Sequence, residues 1–223
     1  MTDIEVTPNG PYAVHGLPLI RLTLSPDPEP RLQEWVERES VDVSGEADGA
    51  GTYWLCRCGG SENKPFCDGH HRSIGFDGTE SAATQDYRTR ARVLPSADGV
   101  VRDVPDLCEH ATFCTTPDTH VWRMVHSTDP QVRQAMASMI DHCPSGRLTR
   151  APDEHAADTE LALPLRVAVV DDGPYLVTGM AVVTRADGAP CEVRNRVTLC
   201  RCGASSNKPF CDGSHAKVGF HDS

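Results

Sequence analysis

"CRCGGSENKPFCDGHH", residues 56 to 71, packs three cysteines and two adjacent histidines into sixteen positions around Gly-Gly, Asn-Lys-Pro and Asp-Gly. Such punctuation leaves little room for a helix or a long strand. A loop is therefore expected, rich in soft ligands. The same stretch returns as "CRCGASSNKPFCDGSH" at residues 200 to 215, with every cysteine displaced by 144 positions. The duplication extends outward: "GPYAVHGLPLIRL" from Gly10 parallels "GPYLVTGMAVVTR" from Gly173, and "RSIGF" after the first loop parallels "AKVGF" after the second. Each copy reads as a strand-rich module whose hairpin leads into a Cys-rich loop. The first copy is 19 residues longer between its Gly-Pro-Tyr and its first cysteine, and the extra "DPEPRLQEWVERES" (27 to 40) predicts a short surface helix.

The ligand spacing is the same in both copies: Cys56, Cys58, Cys67 and His71, then Cys200, Cys202, Cys211 and His215. Alignment selects His71 over His70, because His70 takes the position of Ser214. A Cys-x-Cys pair can turn two thiolates to one side, and Cys-Asp-Gly-x-His sets a thiolate and an imidazole about one helical turn apart. Structural zinc accepts such a Cys₃His set. A [2Fe–2S] cluster also takes four protein ligands, with imidazole replacing thiolate in some centres. Zinc knuckles usually read Cys-x₂₋₄-Cys, a spacing absent from both loops, so the residues lean toward iron but leave both metals open.

A formal net charge of −11 opposes nonspecific nucleic-acid binding, since no surplus of Lys and Arg is present to displace counterions. The longest apolar stretches, "LRVAVV" and "YLVTGMAVV", are strand-sized and too short to span a membrane. The N-terminus shows no basic and apolar leader pattern, so a cytoplasmic location with reduced thiols is expected, where clustered cysteines serve metals more often than crosslinks. With only 5% aromatic residues, metal staples would help small modules fold.

Polar stretches at 77 to 86 and 150 to 160 set off a middle segment. In it, "STDPQVRQAMASMIDHCPSG" predicts an amphipathic helix with Thr128 or Asp129 as N-cap, Pro130 in the first turn and Val132, Ala135, Met136, Met139 and Ile140 on one face. Cys108 and Cys114 stand six apart, as do the first and third ligands of a bacterial ferredoxin run. Cys143-Pro144 would be the remote member, and the missing ligand falls on Ala111. Three reduced cysteines in a small core would give the same pattern. Histidines 120, 126 and 142 read as surface or helix-end residues, and Cys191 as a thiol near a turn.

The doubled "CRCGxSxNKPFCDGxH", together with its upstream hairpin, resembles the CDGSH (NEET-type) iron–sulfur family. Only His70 departs from that motif, at a position usually small. The middle segment, with Cys108, His110, Cys114 and "CPSG" from Cys143, resembles the divergent single-cluster ferredoxin domain. The resemblance implies an α+β chain: two small β-rich CDGSH modules (1–76 and 161–223), paired as an intramolecular pseudo-dimer, around a ferredoxin-like domain (87–150). It implies two [2Fe–2S] clusters, one on Cys56, Cys58, Cys67 and His71 and the other on Cys200, Cys202, Cys211 and His215. A [3Fe–4S] cluster would sit on Cys108, Cys114 and Cys143, or a [4Fe–4S] cluster with His110 as a possible fourth ligand. No Walker loop, nucleophile elbow or His-Glu-x-x-His marks a turnover site, so an electron carrier is expected rather than an enzyme. Its partners would be a reductase or acceptor protein, or apo iron–sulfur proteins if it donates clusters, with no nucleic acid and no membrane. A structural zinc module is the reading from a different class.

Overall fold

Alternating apolar residues on either side of the first Gly-Pro-Tyr form β1 (Ile4–Val6) and β2 (Tyr12–His15), followed by β3 (Leu19–Pro26), β4 (Gln33–Ser40) and β5 (Thr52–Leu55). The computed structural model describes residues 3–26 and 33–222. After the first Cys-rich loop come α1 (His70–Ser73) and α2 (Tyr87–Arg90), then β6 (Arg92–Ser96), β7 (Gly99–Asp103), α3 (Val121–Met124), α4 (Pro130–Asp141) and β8 (Leu148–Ala151). The second repeat supplies β9 (Arg166–Val170), β10 (Tyr175–Thr178), β11 (Val183–Thr184), β12 (Arg196–Leu199) and α5 (Ser214–Lys217). The class is α+β.

The two repeats share their sheets. One runs β11-β1-β2-β5 and the other β12-β10-β9-β3-β4, so β11 of the second repeat sits in the first repeat's sheet and β3 of the first repeat in the second's. Both exchanged strands pair in parallel, Ile4 opposite Val183 and Leu19 opposite Val167. Burial explains the central position of β3 and β9: Leu19, Ile20 and Leu22, like Val167, Ala168 and Val169, are each at most 4% exposed, so both faces of these strands need cover. Between the sheets lies one core containing Tyr12, Tyr53, Phe66, Tyr175 and Leu199.

The helix expected over 27–40 does not form in its described part. Gln33–Ser40 is a strand, antiparallel to β3 with Leu24 opposite Trp35, while residues 27–32 lie outside the described residues. Pairing with β9 leaves the other edge of β3 open, and Trp35 gains contacts with Ile20, Leu22, Ala168 and Leu176 by filling it. That tertiary gain overrides the helix preference of Gln, Glu and Arg.

The middle segment folds as the antiparallel sheet β6-β7-β8 with α4 against it. Asp129 caps α4 by accepting from the Gln131 amide at 2.8 Å, and Pro130 occupies the first turn, as expected. The helix ends at Asp141, with His142 as its C-cap. The stretch after β8 is pinned by Arg102, a fully buried guanidinium that pairs with Asp158 and donates to the Glu154 carbonyl at 2.9 Å.

Candidate metal centres

Each Cys-rich loop follows a strand, and the last strand residue anchors it: Leu55 bridges Phe66, and Leu199 bridges Phe210. The Ser of each motif closes the loop from inside, Ser61 Oγ donating to the Phe66 carbonyl and Ser205 Oγ to that of Phe210, both at 2.7 Å. The Asp of Cys-Asp-Gly then caps the far side. Asp68 accepts from the amides of Glu62 and His70, at 2.8 and 2.9 Å, and Asp212 from those of Ser206 and Ser214, at 2.9 and 3.0 Å. The amides of Glu62 and His70 hold the Asp68 carboxyl below its usual range. Burial pulls Asp212 the other way, yet hydrogen bonds from Ser214 and Ser206 still hold it low.

Within these frames the ligands arrive in pairs. Cys56 and Cys58 sulfurs are 3.7 Å apart, and Cys67 Sγ is 3.4 Å from His71 Nδ1. The second copy repeats this at 3.9 Å for Cys200 and Cys202 and 3.3 Å for Cys211 and His215. Among the described residues no three His, Cys, Asp or Glu side chains converge as they would on a single metal ion. Each loop thus presents two close pairs, a dithiol and a thiol with an imidazole. All ten cysteines are unpaired by disulfides.

Burial pushes the Cys67 and Cys211 thiols up, so a metal bound there would have to displace their protons. Within each Cys-x-Cys contact the two sulfurs titrate as a pair, one thiolate being stabilised by a hydrogen bond from the neighbouring thiol. Desolvation lowers both His71 and His215, which keeps the imidazoles neutral and ready to ligate. Amides of Gly60, Ala204 and Gly213 approach Cys58, Cys202 and Cys211 sulfurs at 3.4 to 3.5 Å.

The arginine between each cysteine pair turns away from the ligands into the protein. Arg57 donates to the carbonyls of Gly10 and Gly78, at 3.0 and 2.9 Å, and lies over Tyr12 and Phe76. Arg201 pairs with Asp222 and lies over Tyr175 and Phe220. Thus the outward sequence similarity, down to the Phe of "IGF" and "VGF", corresponds to one repeated cation–aromatic pocket.

In the middle segment Cys108, Ala111, Cys114 and Cys143 line one small cavity beside Arg147. His110 and Thr112 adopt left-handed φ of 63°, curling the 108–114 loop around it. Cys114 is pushed up to about 11, by burial first and by the nearby Cys143. His110 borders this cavity and also faces the second Cys-rich loop, its Cδ2 2.8 Å from where a Cβ on Gly213 would stand. Histidine 142 instead hydrogen-bonds the Ser138 carbonyl through Nδ1 at 2.8 Å.

Several supporting residues were not singled out by sequence reasoning. Tyr12 and Tyr175, Arg196 and Glu109 all hold or face these loops. The signal available for Arg196 is its repeat counterpart, Thr52: a buried arginine where the twin strand has a threonine.

Two matched loops of paired cysteine and histidine side chains, plus a three-cysteine cavity, place soft metal-binding chemistry in each CDGSH repeat and in the segment between them. Comparison with known families makes this specific. The family described as iron-binding zinc finger of the CDGSH type matches residues 9–72 and again 172–216, and the divergent 4Fe-4S mono-cluster family matches residues 98–152 between them. The chain is a CDGSH-type iron–sulfur protein whose two CDGSH modules flank a divergent single-cluster module. No curated protein sequence matches it. Among the described residues no helix is long and apolar enough to cross a membrane.

Proposed function

We propose that the protein is a one-electron carrier holding two [2Fe–2S] clusters and one [3Fe–4S] or [4Fe–4S] cluster, working in the reducing cytoplasm with a redox protein as its partner. The observation that carries this reading is the pairwise arrival of the ligands in each CDGSH loop. Cys56 and Cys58 would hold one iron and Cys67 and His71 the other, with Cys200, Cys202, Cys211 and His215 doing the same in the second module. Cys108, Cys114 and Cys143 would hold the middle cluster, with His110 available to a fourth iron. The bound clusters supply the electron chemistry.

The protein's own groups tune that chemistry. Amide hydrogen bonds to sulfur withdraw negative charge and favour the reduced state. His71 and His215 turn Nδ1 toward their partner cysteine, leaving one ring nitrogen able to accept a proton from solvent. Metal and acid-labile sulfide counts on anaerobically purified protein, with visible and EPR spectra, test the reading. About seven irons per chain support a [3Fe–4S] middle site and about eight a [4Fe–4S] site. A colourless, EPR-silent protein with stoichiometric zinc overturns it.

A further inference from the structure

The two CDGSH sites share their ligands but not their surroundings. At the first, a Cβ on Gly69 would meet nothing within 4 Å, whereas at the second a Cβ on Gly213 would stand 2.8 Å from the Glu109 carbonyl oxygen and equally close to His110. Cys67 is half-buried, and its counterpart Cys211 is 2% exposed. Beside Cys67 and His71 opens a broad cleft of about 900 Å³ that Trp54 and Arg72 also line. Around His215 the corresponding space is about 140 Å³, closed over by Trp35, Glu109, His110 and Pro144.

The repeat-aligned positions show how this came about. Trp54, 37% exposed, borders the open cleft, while its counterpart Thr198 is 2% exposed beside the buried Glu109. Thr52 corresponds to Arg196, whose guanidinium donates to the carbonyls of Cys143 at 2.6 Å and Ile140 at 2.9 Å, fastening the middle module's CPSG loop to β12. The second loop carries further cover. Ser81 and Ala82 amides both donate to the Lys208 carbonyl at 2.9 Å, and Asn207 Nδ2 donates to the Asp106 carbonyl at 2.7 Å. Asn63, the twin of Asn207, reaches only the exposed Glu46.

We propose that the middle module is a cap on the second CDGSH site, so that exchange with outside molecules takes place at the first site, through the cleft between Trp54 and His71. The second site, set between the first CDGSH loop and the middle cavity, opens less widely than the first. Gly203 and Gly59 bring the two loops together, since a Cβ on either would stand 2.7 Å from the carbonyl oxygen of Cys58 or Cys202 in the facing loop, a contact that both sites share. The proposal rests on metal occupancy of the two loops, and on nothing about whether electrons or clusters are exchanged.

The test is metal release from the full chain to pyridylazoresorcinol, which takes up iron and zinc alike, followed together with the visible spectrum. Two phases are expected from the CDGSH sites, of equal amplitude and well separated in rate. In His215→Cys, which marks the second site by its altered ligand spectrum, the fast phase keeps the Cys₃His spectrum. In Asn207→Ala, which frees the second loop from the Asp106 carbonyl of the middle module, the slow phase speeds up severalfold while the fast phase stays as it was, and Asn63→Ala in the first loop leaves the slow phase unchanged. A single phase, a fast phase bearing the altered spectrum, or a slow phase indifferent to Asn207→Ala would each overturn the cap. Zinc in place of iron would overturn the cluster reading instead, and the Asn207→Ala comparison would still decide the cap.

Discussion

Tyr12 and Tyr175 meet edge to face at the centre of the protein, ring centroids 6.0 Å apart and planes at 89°. Each reaches past the other to the opposite repeat. The Tyr12 hydroxyl donates to the Cys200 carbonyl at 2.9 Å and lies 3.1 Å from that of Pro209, while Tyr175 does the same with Cys56 and Pro65 at 2.9 and 3.0 Å. The ligand loop of each module is therefore held by a tyrosine of the other.

This crossing makes a directional prediction. Tyr12→Phe removes a buried hydroxyl and costs about 1 kcal/mol, and the weakened loop is the second one, 188 residues away in sequence. Metal release should accelerate at Cys200, Cys202, Cys211 and His215 and stay unchanged at the first site. Tyr175→Phe should do the reverse. Release that accelerates in the same module as the substitution would contradict the crossed support.

His70 owes its place to a glycine. A Cβ on Gly60 would stand 2.5 Å from His70 Cδ2, and the second repeat has Ala204 and Ser214 at these two positions. The pairs exchange volume: small loop residue with large helix residue, or the converse. Gly60→Ala alone should cost about 1 to 2 kcal/mol through overpacking, and adding His70→Ser should recover most of it. Thermal melts of both singles and the double give the coupling; additive losses would refute the exchange.

Arg196 joins the modules energetically. Its guanidinium is 1% exposed, pairs with Glu160 and donates to carbonyls of the middle module. Arg196→Met leaves those acceptors and Glu160 unmet, a loss of about 3 kcal/mol. The middle cluster's EPR signal should broaden or vanish before either CDGSH signal does. Equal loss of all three signals would mean that Arg196 supports the fold at large instead.

Acid should act first on the histidines. Asp68 and Asp212 are held below their ordinary range, so their loop-capping stability is fully present above the unfolded carboxylate value and is lost only as pH falls through the lowered folded one. Imidazole is the more basic group, and desolvation moves the protonation of His71 and His215 to more acid pH than an exposed histidine shows. Reduction potential should therefore rise and clusters loosen as pH falls below the ordinary imidazole range. His71→Cys and His215→Cys should each lower one potential and make one cluster acid-resistant. Redox titrations unchanged in both variants would sink the imidazole role.

Much of this was legible in the chain. A displacement of 144 positions between two copies of one cysteine and histidine spacing identified the CDGSH modules and aligned His71, rather than His70, with His215, because turn residues and ligand spacing act locally. The α4 cap at Asp129-Pro130 was local too. Helix preference misjudged Gln33–Ser40, since only the open edge of β3 makes that segment a strand. Which strands cross between repeats, that Tyr12 serves the distant loop, and that Glu109 and His110 cover one CDGSH site and not its twin were decided by tertiary structure. These depend on long-range pairing and burial, whose partners lie a hundred or more residues apart and leave no periodic trace in sequence.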